Sequence, residues 1–120
     1  MVKNRIKHLV EPWVLFDRQG RPITSQQFCE LNKKDDYRHI GYDVLKWGGV
    51  VSTVWLGVSY NFNLDGPPII FESMVFSKAP SEKSGQFGRA LYQTRYSTLA
   101  DAKAGHRKLV EWWKNGPRKT

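Results

Sequence analysis

Glu72 and His106 are the side chains in this sequence best placed to do chemistry. Glu72 interrupts the apolar run "GPPIIFESMVF" (66–76), among Ile69, Ile70, Phe71, Met74, Val75 and Phe76, where desolvating a carboxylate is costly. Three roles suit it: half of an ion pair, a contact to a ligand or partner, or a general acid or base. His106 lies on the apolar side of the last amphipathic stretch, where a hydrogen-bonded core histidine is the default. A meeting of the two would make an acid–base pair, although nothing in the spacing requires that contact. His8, His39 and His106 lack metal-ligand spacing, so neither a metal site nor a cofactor is expected. Cys29 is the only cysteine. It can form no intramolecular disulfide and no cysteine-based zinc site, which favours a reducing compartment. No phosphate-binding glycine loop, nucleophile elbow or dinucleotide fingerprint occurs.

The elements that must position these residues follow from pattern. A short apolar strand at Trp13 to Phe16 precedes the turn "DRQG". Thr24 or Ser25 can cap a short helix through about Lys33, with Phe28, Cys29 and Leu31 on its apolar side. "YRHIGYDVLKW", "VVSTVWLGVSYNF", "PIIFESMVF" and "RALYQTRY" read as successive strands. Gly48-Gly49 and "NLDGPP" separate the first three, and the polar loop "SKAPSEKSGQFG" precedes the fourth. Leu99, Ala102, His106, Leu109, Val110 and Trp113 recur at helical spacing after a Thr98–Asp101 cap, and Asn115-Gly116-Pro117 ends that helix. The expected fold is α+β, an antiparallel β-meander of three to four strands plus a short N-terminal strand. A short helix and a C-terminal helix pack on that sheet. One domain should span 1–120, with basic tails at 1–8 and 115–120.

Turn geometry gives an expected register. With Gly48-Gly49 at the hairpin centre, Trp47 faces Val50, Tyr42 faces Trp55 and Arg38 faces Ser59. Pairing Leu64 with Pro67 sets Trp55 opposite Phe76 and Ser59 opposite Glu72, so Arg38, Ser59 and Glu72 form one row near the strand ends. Arg89 or Arg95 approaches Glu72 from the fourth strand. The candidate ligand or partner contacts are therefore Arg38, Trp55, Ser59, Glu72 and His106. Both sheet faces are largely apolar in this register, which predicts a homo-oligomer formed through a face or an edge.

The charge is +8 on 120 residues, and it is uneven. Lys3, Arg5 and Lys7 contribute three positive charges, while 103–120 carry six basic residues against Glu111. Basic ends attract polyanions, so Lys108, Trp112, Lys114, Arg118 and Lys119 make an alternative, nucleic-acid-binding set. No segment reaches the ~20 apolar residues a membrane span needs. "MVKNRIKHLV" lacks a signal-peptide core, so a cytoplasmic location is expected.

The segments "VSTVWLG" (51–57), "GPPIIFESMVF" (66–76) and "RYSTLADAKAGH" (95–106), with a weaker echo in "PWVLFDRQGRPIT" (12–24), resemble a family of short bacteriophage and prophage proteins. The resemblance implies a phage origin and a bacterial host cell, and it implies no activity. Origin and small size then favour an accessory protein that binds a host protein or a small ligand. An inhibitor of host defence such as an anti-CRISPR protein is the most natural specific case. Nucleic-acid binding through the basic ends is the alternative, and an enzyme using Glu72 and His106 is the second.

Overall fold

The computed structural model describes residues 15–59 and 66–117. A small hairpin joins β1 (Leu15–Phe16) to β2 (Pro22–Ile23). Asp17 holds its turn: Oδ1 accepts the N–H groups of Gln19 and Arg21 at 2.9 Å each, and Oδ2 accepts Arg21 Nε at 3.0 Å. The helix α1 (Ser25–Asn32) starts on a full capping box. Thr24 Oγ1 accepts the Gln27 N–H at 3.1 Å, and Gln27 Oε1 accepts the Thr24 N–H at 2.9 Å. Phe28 and Leu31 turn to the core as expected, whereas Cys29 is exposed. A single turn, α2 (Asp35–Arg38), leads into the main sheet.

That sheet is antiparallel, in the order β3 (His39–Val44), β4 (Val50–Trp55), β5 (Phe71–Phe76) and β6 (Ala90–Tyr96). The β-branched and aromatic residues of "VVSTVW" suit a strand buried on both faces, and β4 is the most enclosed of the four. The helix α3 (Leu99–Trp113) then runs back across one face, its Thr98 hydroxyl accepting the Asp101 N–H at 3.0 Å. No helix among the described residues is long and apolar enough to cross a membrane. The architecture is α+β.

Register departs from expectation in both connections. Val44 pairs with Val50 and Tyr42 with Ser52, because Leu45 N–H donates to Gly49 O at 2.7 Å and widens the loop. Beyond Trp55 the chain leaves the sheet: Leu56 N–H donates to Ile70 O at 2.7 Å, and Val58 bridges to Leu15. Trp55 therefore faces Phe71, Val50 faces Phe76, and Val54 lies opposite Glu72 in place of Ser59. An odd register shift moves side chains to the opposite face. Arg38, expected in a strand, closes α2 and pairs with Asp35. The tail at 1–8, Trp13, and residues 118–120 lie outside the described residues.

The core has two apolar clusters under α3. Leu45, Val51, Val75 and Leu109 form one, flanked by Trp47 and Trp113. Trp55, Ile70, Phe71 and Ala102 form the other, flanked by Phe28, Leu31, Tyr96 and Leu99. Two indoles stitch distant segments to them. Trp55 Nε1 donates to Phe16 O at 3.0 Å, and Trp47 Nε1 donates to Trp113 O at 2.7 Å. Full burial of a side chain such as Phe71 or Ile70 stabilises the fold by about 1.5–3 kcal/mol. Between the clusters runs a cross-strand row of small residues, Gly41, Thr53, Ser73 and Thr94.

Candidate functional site

Glu72 is half of an ion pair. Its Oε2 accepts Arg95 Nε at 3.0 Å and Gln93 Nε2 at 2.6 Å, both from the neighbouring β6. Its strand partner Val54 and the α3-facing Thr53 point from opposite faces, so Glu72 and His106 are separated by the sheet. The structure brings no acid–base pair together from these two residues.

His106 is buried and doubly hydrogen-bonded. Its Nδ1 lies 2.6 Å from Thr53 Oγ1, and its Nε2 lies 2.6 Å from Asp43 Oδ2. Thr53 Oγ1 is also 2.5 Å from Ser73 Oγ, which in turn bonds the Tyr96 hydroxyl. The result is a polar chain from Asp43 to Tyr96 that draws on all four strands of the main sheet and on α3. An ionised carboxylate only accepts, so Nε2 carries its proton in either charge state of the ring. With the ring neutral, Tyr96 donates to Ser73, Ser73 to Thr53, and Thr53 to Nδ1. A protonated ring reverses the bond to Thr53, whose Oγ1 then accepts from Nδ1. Thr53 and Ser73 have no solvent exposure, so this arrangement of Asp, His and hydroxyl presents no nucleophile to a substrate.

Space for the chain comes from two glycines. A Cβ on Gly41 would sit 2.7 Å from the His106 ring, and one on Gly105 would enter the Tyr96 ring. Burial raises the Tyr96 phenol above its ordinary value of 10.0; the Ser73 hydrogen bond opposes that shift and nearby Tyr92 adds to it.

Tyr96 also borders a groove of about 330 Å³ between β6 and α3, lined by Tyr92, Thr94, Asp101, Gly105, Lys108 and Trp112 among others. Tyr92 is 39% exposed and Trp112 52% exposed. Both are large aromatics standing in water beside an edge strand. Trp113 turns inward as helical spacing predicts, its ring 6.2 Å from that of Tyr92.

A wider cleft of about 660 Å³ lies between the hairpin and α1, lined by Asp17, Arg21, Gln27, Glu30, Leu31 and Tyr37 among others. Size favours it, but Gln27, Arg21 and Asp17 are engaged in the local fold. Gln27 closes the capping box, and Arg21 pairs with Asp17. Burial alone would raise the Asp17 carboxyl. Hydrogen bonds from Arg21 and from the Gln19 backbone, together with the Arg21 charge, outweigh that effect and hold it below its ordinary value of 3.8. Among the described residues no group of three or more His, Cys, Asp or Glu side chains could hold a metal ion.

The sequence-predicted contacts do not converge. Trp55 is core, Ser59 Oγ accepts the Ile69 N–H at 3.3 Å, and Arg38, Glu72 and His106 occupy three separate settings. Of the nucleic-acid set, Lys108 and Trp112 share the β6–α3 groove, Lys114 pairs with Glu111 at 2.5 Å, and Arg118 and Lys119 lie outside the described residues. Missed entirely were Asp43, Thr53, Ser73, Tyr92 and Tyr96. The available signal was Thr53 and Ser73, polar letters in otherwise apolar strands that require buried partners. Comparison of the chain with protein-family models, with curated proteins and with solved structures finds no match in any of the three.

Proposed function

We propose that the chain is a non-enzymatic binding module that takes another polypeptide on its β6–α3 flank. The observation that carries this reading is the groove beside an edge strand: Tyr92 on β6 and Trp112 on α3 stand exposed along it, and no strand pairs the outer side of β6 among the described residues. Strand addition at such an edge supplies main-chain hydrogen bonds, and the groove receives alternate side chains. Aromatic residues are frequent energetic anchors of protein interfaces. The enclosed hydroxyls of the His106 chain and the pairing of Glu72 with Arg95 support the non-enzymatic part. Within a bacterial host cytoplasm, the biological role that the phage resemblance favours is binding a host protein, with inhibition of host defence the specific case. We include self-association in this reading.

Selection of extended peptides from a displayed random library, using the whole chain as bait, tests it. Binders should lose affinity by about tenfold or more on Trp112→Ala or Tyr92→Ala. Binders indifferent to both substitutions reject the reading.

One observation favours a second possibility. Lys108 and Trp112 meet in the same groove, where bases can stack on Trp112 and Tyr92 while Lys108 meets phosphate. Asp101 in that groove opposes it. Oligonucleotide affinity that falls steeply with salt and drops on Lys108→Gln would support this reading, and affinity insensitive to both would reject it.

A further inference from the structure

We infer that the polypeptide this flank takes is a proline-rich segment in the extended polyproline conformation, with an acidic and a basic residue three positions apart. The inference rests on the reading of β6–α3 as a polypeptide-binding surface and names the chemistry of its occupant. The segment lies in the groove between β6 and α3 and adds no strand to the sheet.

The helix side of the groove is a single stripe, Asp101, Gly105, Lys108 and Trp112, at helical spacing. The facing wall is Tyr96, Thr94 and Tyr92, alternate residues of β6. Gly105 lies against Tyr96, and Trp113 meets the Tyr92 ring, so the two walls run in opposite directions. Asp101 marks the Tyr96 end, and Lys108 and Trp112 mark the Tyr92 end. The middle, at Gly105 and Thr94, carries only small groups.

Hydrogen-bonding capacity selects the backbone. Among the described residues the Tyr92 hydroxyl, Trp112 Nε1, the Asp101 carboxylate and Lys108 Nζ have no partner. Apart from its two charges the groove therefore offers donors, an indole N–H and a phenol O–H. A proline has a carbonyl and no N–H. A polyproline helix makes no internal hydrogen bonds, so its carbonyls are open to these two donors. A β-strand would also bring N–H groups, which need a strand edge to accept them. Proline-rich segments dock on aromatic-lined grooves, and their preformed helix loses little entropy on binding.

Spacing selects the charges. Asp101 and Lys108 are seven residues apart on α3, about 10.5 Å along its axis. Polyproline rises about 3.1 Å per residue with three residues per turn, so positions i and i+3 are about 9.3 Å apart and point the same way. In a β-strand, residues on one face are about 6.8 or 13.6 Å apart, and residues three apart point to opposite faces. An α-helix is about 10–12 Å across, and the same length of it has more than twice the volume of the groove, about 330 Å³. Polyproline therefore fits, with its acidic residue at Lys108 and its basic residue at Asp101. Two prolines lie between them over Gly105 and Thr94, and two more lie beyond the acidic residue against Tyr92 and Trp112.

Fluorescence anisotropy with synthetic peptides and the whole chain tests the inference. The probes are Pro-Pro-Glu-Pro-Pro-Arg and its reversal Arg-Pro-Pro-Glu-Pro-Pro, because either chain direction satisfies the spacing. One of them should bind. Affinity should fall about tenfold or more when the charges are set two apart, in Pro-Pro-Glu-Pro-Arg-Pro and its reversal, and when Trp112→Ala removes the anchor. Asp101→Lys combined with Lys108→Glu should transfer the preference to the peptide with Glu and Arg exchanged. The peptide controls need no variant, so they stand whatever the substitutions do to folding. Failure of both directions to bind, or binding indifferent to charge spacing, overturns the inference. The displayed library separates the two levels of argument. Library binders without proline, lost on Trp112→Ala, keep the binding flank and remove the polyproline occupant when the peptides fail. Neither library binders nor peptide binding removes both.

Discussion

Gly105 occupies a helix interior, where replacing glycine by alanine ordinarily gains about 1 kcal/mol. Here the sign should invert. A Cβ at this position enters the Tyr96 ring, and that ring is fixed by packing against the core and by its bond to Ser73. Gly105→Ala should lower unfolding stability in urea by about 1–3 kcal/mol; a gain would show that α3 does not lie this close to β6. Thr53→Val tests the polar chain in the same assay. It preserves shape but leaves His106 Nδ1 without a partner, while Ser73 keeps its bond to Tyr96, an expected loss of about 1–3 kcal/mol. His106 as a bonded core residue was legible from its place on an apolar helix face. Its partners were not, because Thr53 and Asp43 reach it only through a pairing register that sequence spacing leaves open.

At the scale of elements, the hairpin at β1–β2 depends on ionised Asp17. Its folded-state pKa is depressed, so the stability it contributes is present above the ordinary carboxylate range and is lost as pH falls through the lower, folded value. Asp17→Asn should therefore flatten the acid side of the stability profile below about pH 4, measured by thermal unfolding at stepped pH. An unchanged acid limb would mean the turn does not depend on that charge. The short helix, the C-terminal helix and the four main strands could be read from periodicity and caps, since the Thr24 and Thr98–Asp101 capping signals are local. Register could not. The connection between β4 and β5 looked like a tight turn, yet Leu56 to Ser59 leave the sheet to meet Ile70, Leu15 and Ile69. A contact with a distant strand overrode the turn residues. Every inference that placed Glu72 beside Ser59 failed for that one reason. Its pairing with Arg95 survived because β6 follows β5 in both readings.

At the scale of the whole molecule, the α+β class was visible because strand and helix periods are segregated along the chain. The surface that now matters most was only half visible. Trp112 and Lys108 could be taken from the sequence as an exposed pair, but β6 supplies Tyr92 and Tyr96, whose outward or inward direction depends on the sheet. The row Gly41, Thr53, Ser73 and Thr94 has a further consequence for how the molecule opens. It forms a low polar track between two apolar clusters, and α3 matches it in one position only, with Leu109, His106 and Ala102 over aliphatic, hydroxylic and aromatic neighbours in turn. Sliding α3 by a turn would set an apolar residue on the hydroxyls and His106 on a greasy cluster, so no displaced docking is stable. The helix and the sheet should therefore open as one cooperative unit. Native-state amide exchange would show this directly: the slowest amides of α3 should exchange with the same opening free energy as those of β4 and β5. Exchange of α3 well ahead of the sheet would mean that the helix can lift away by itself.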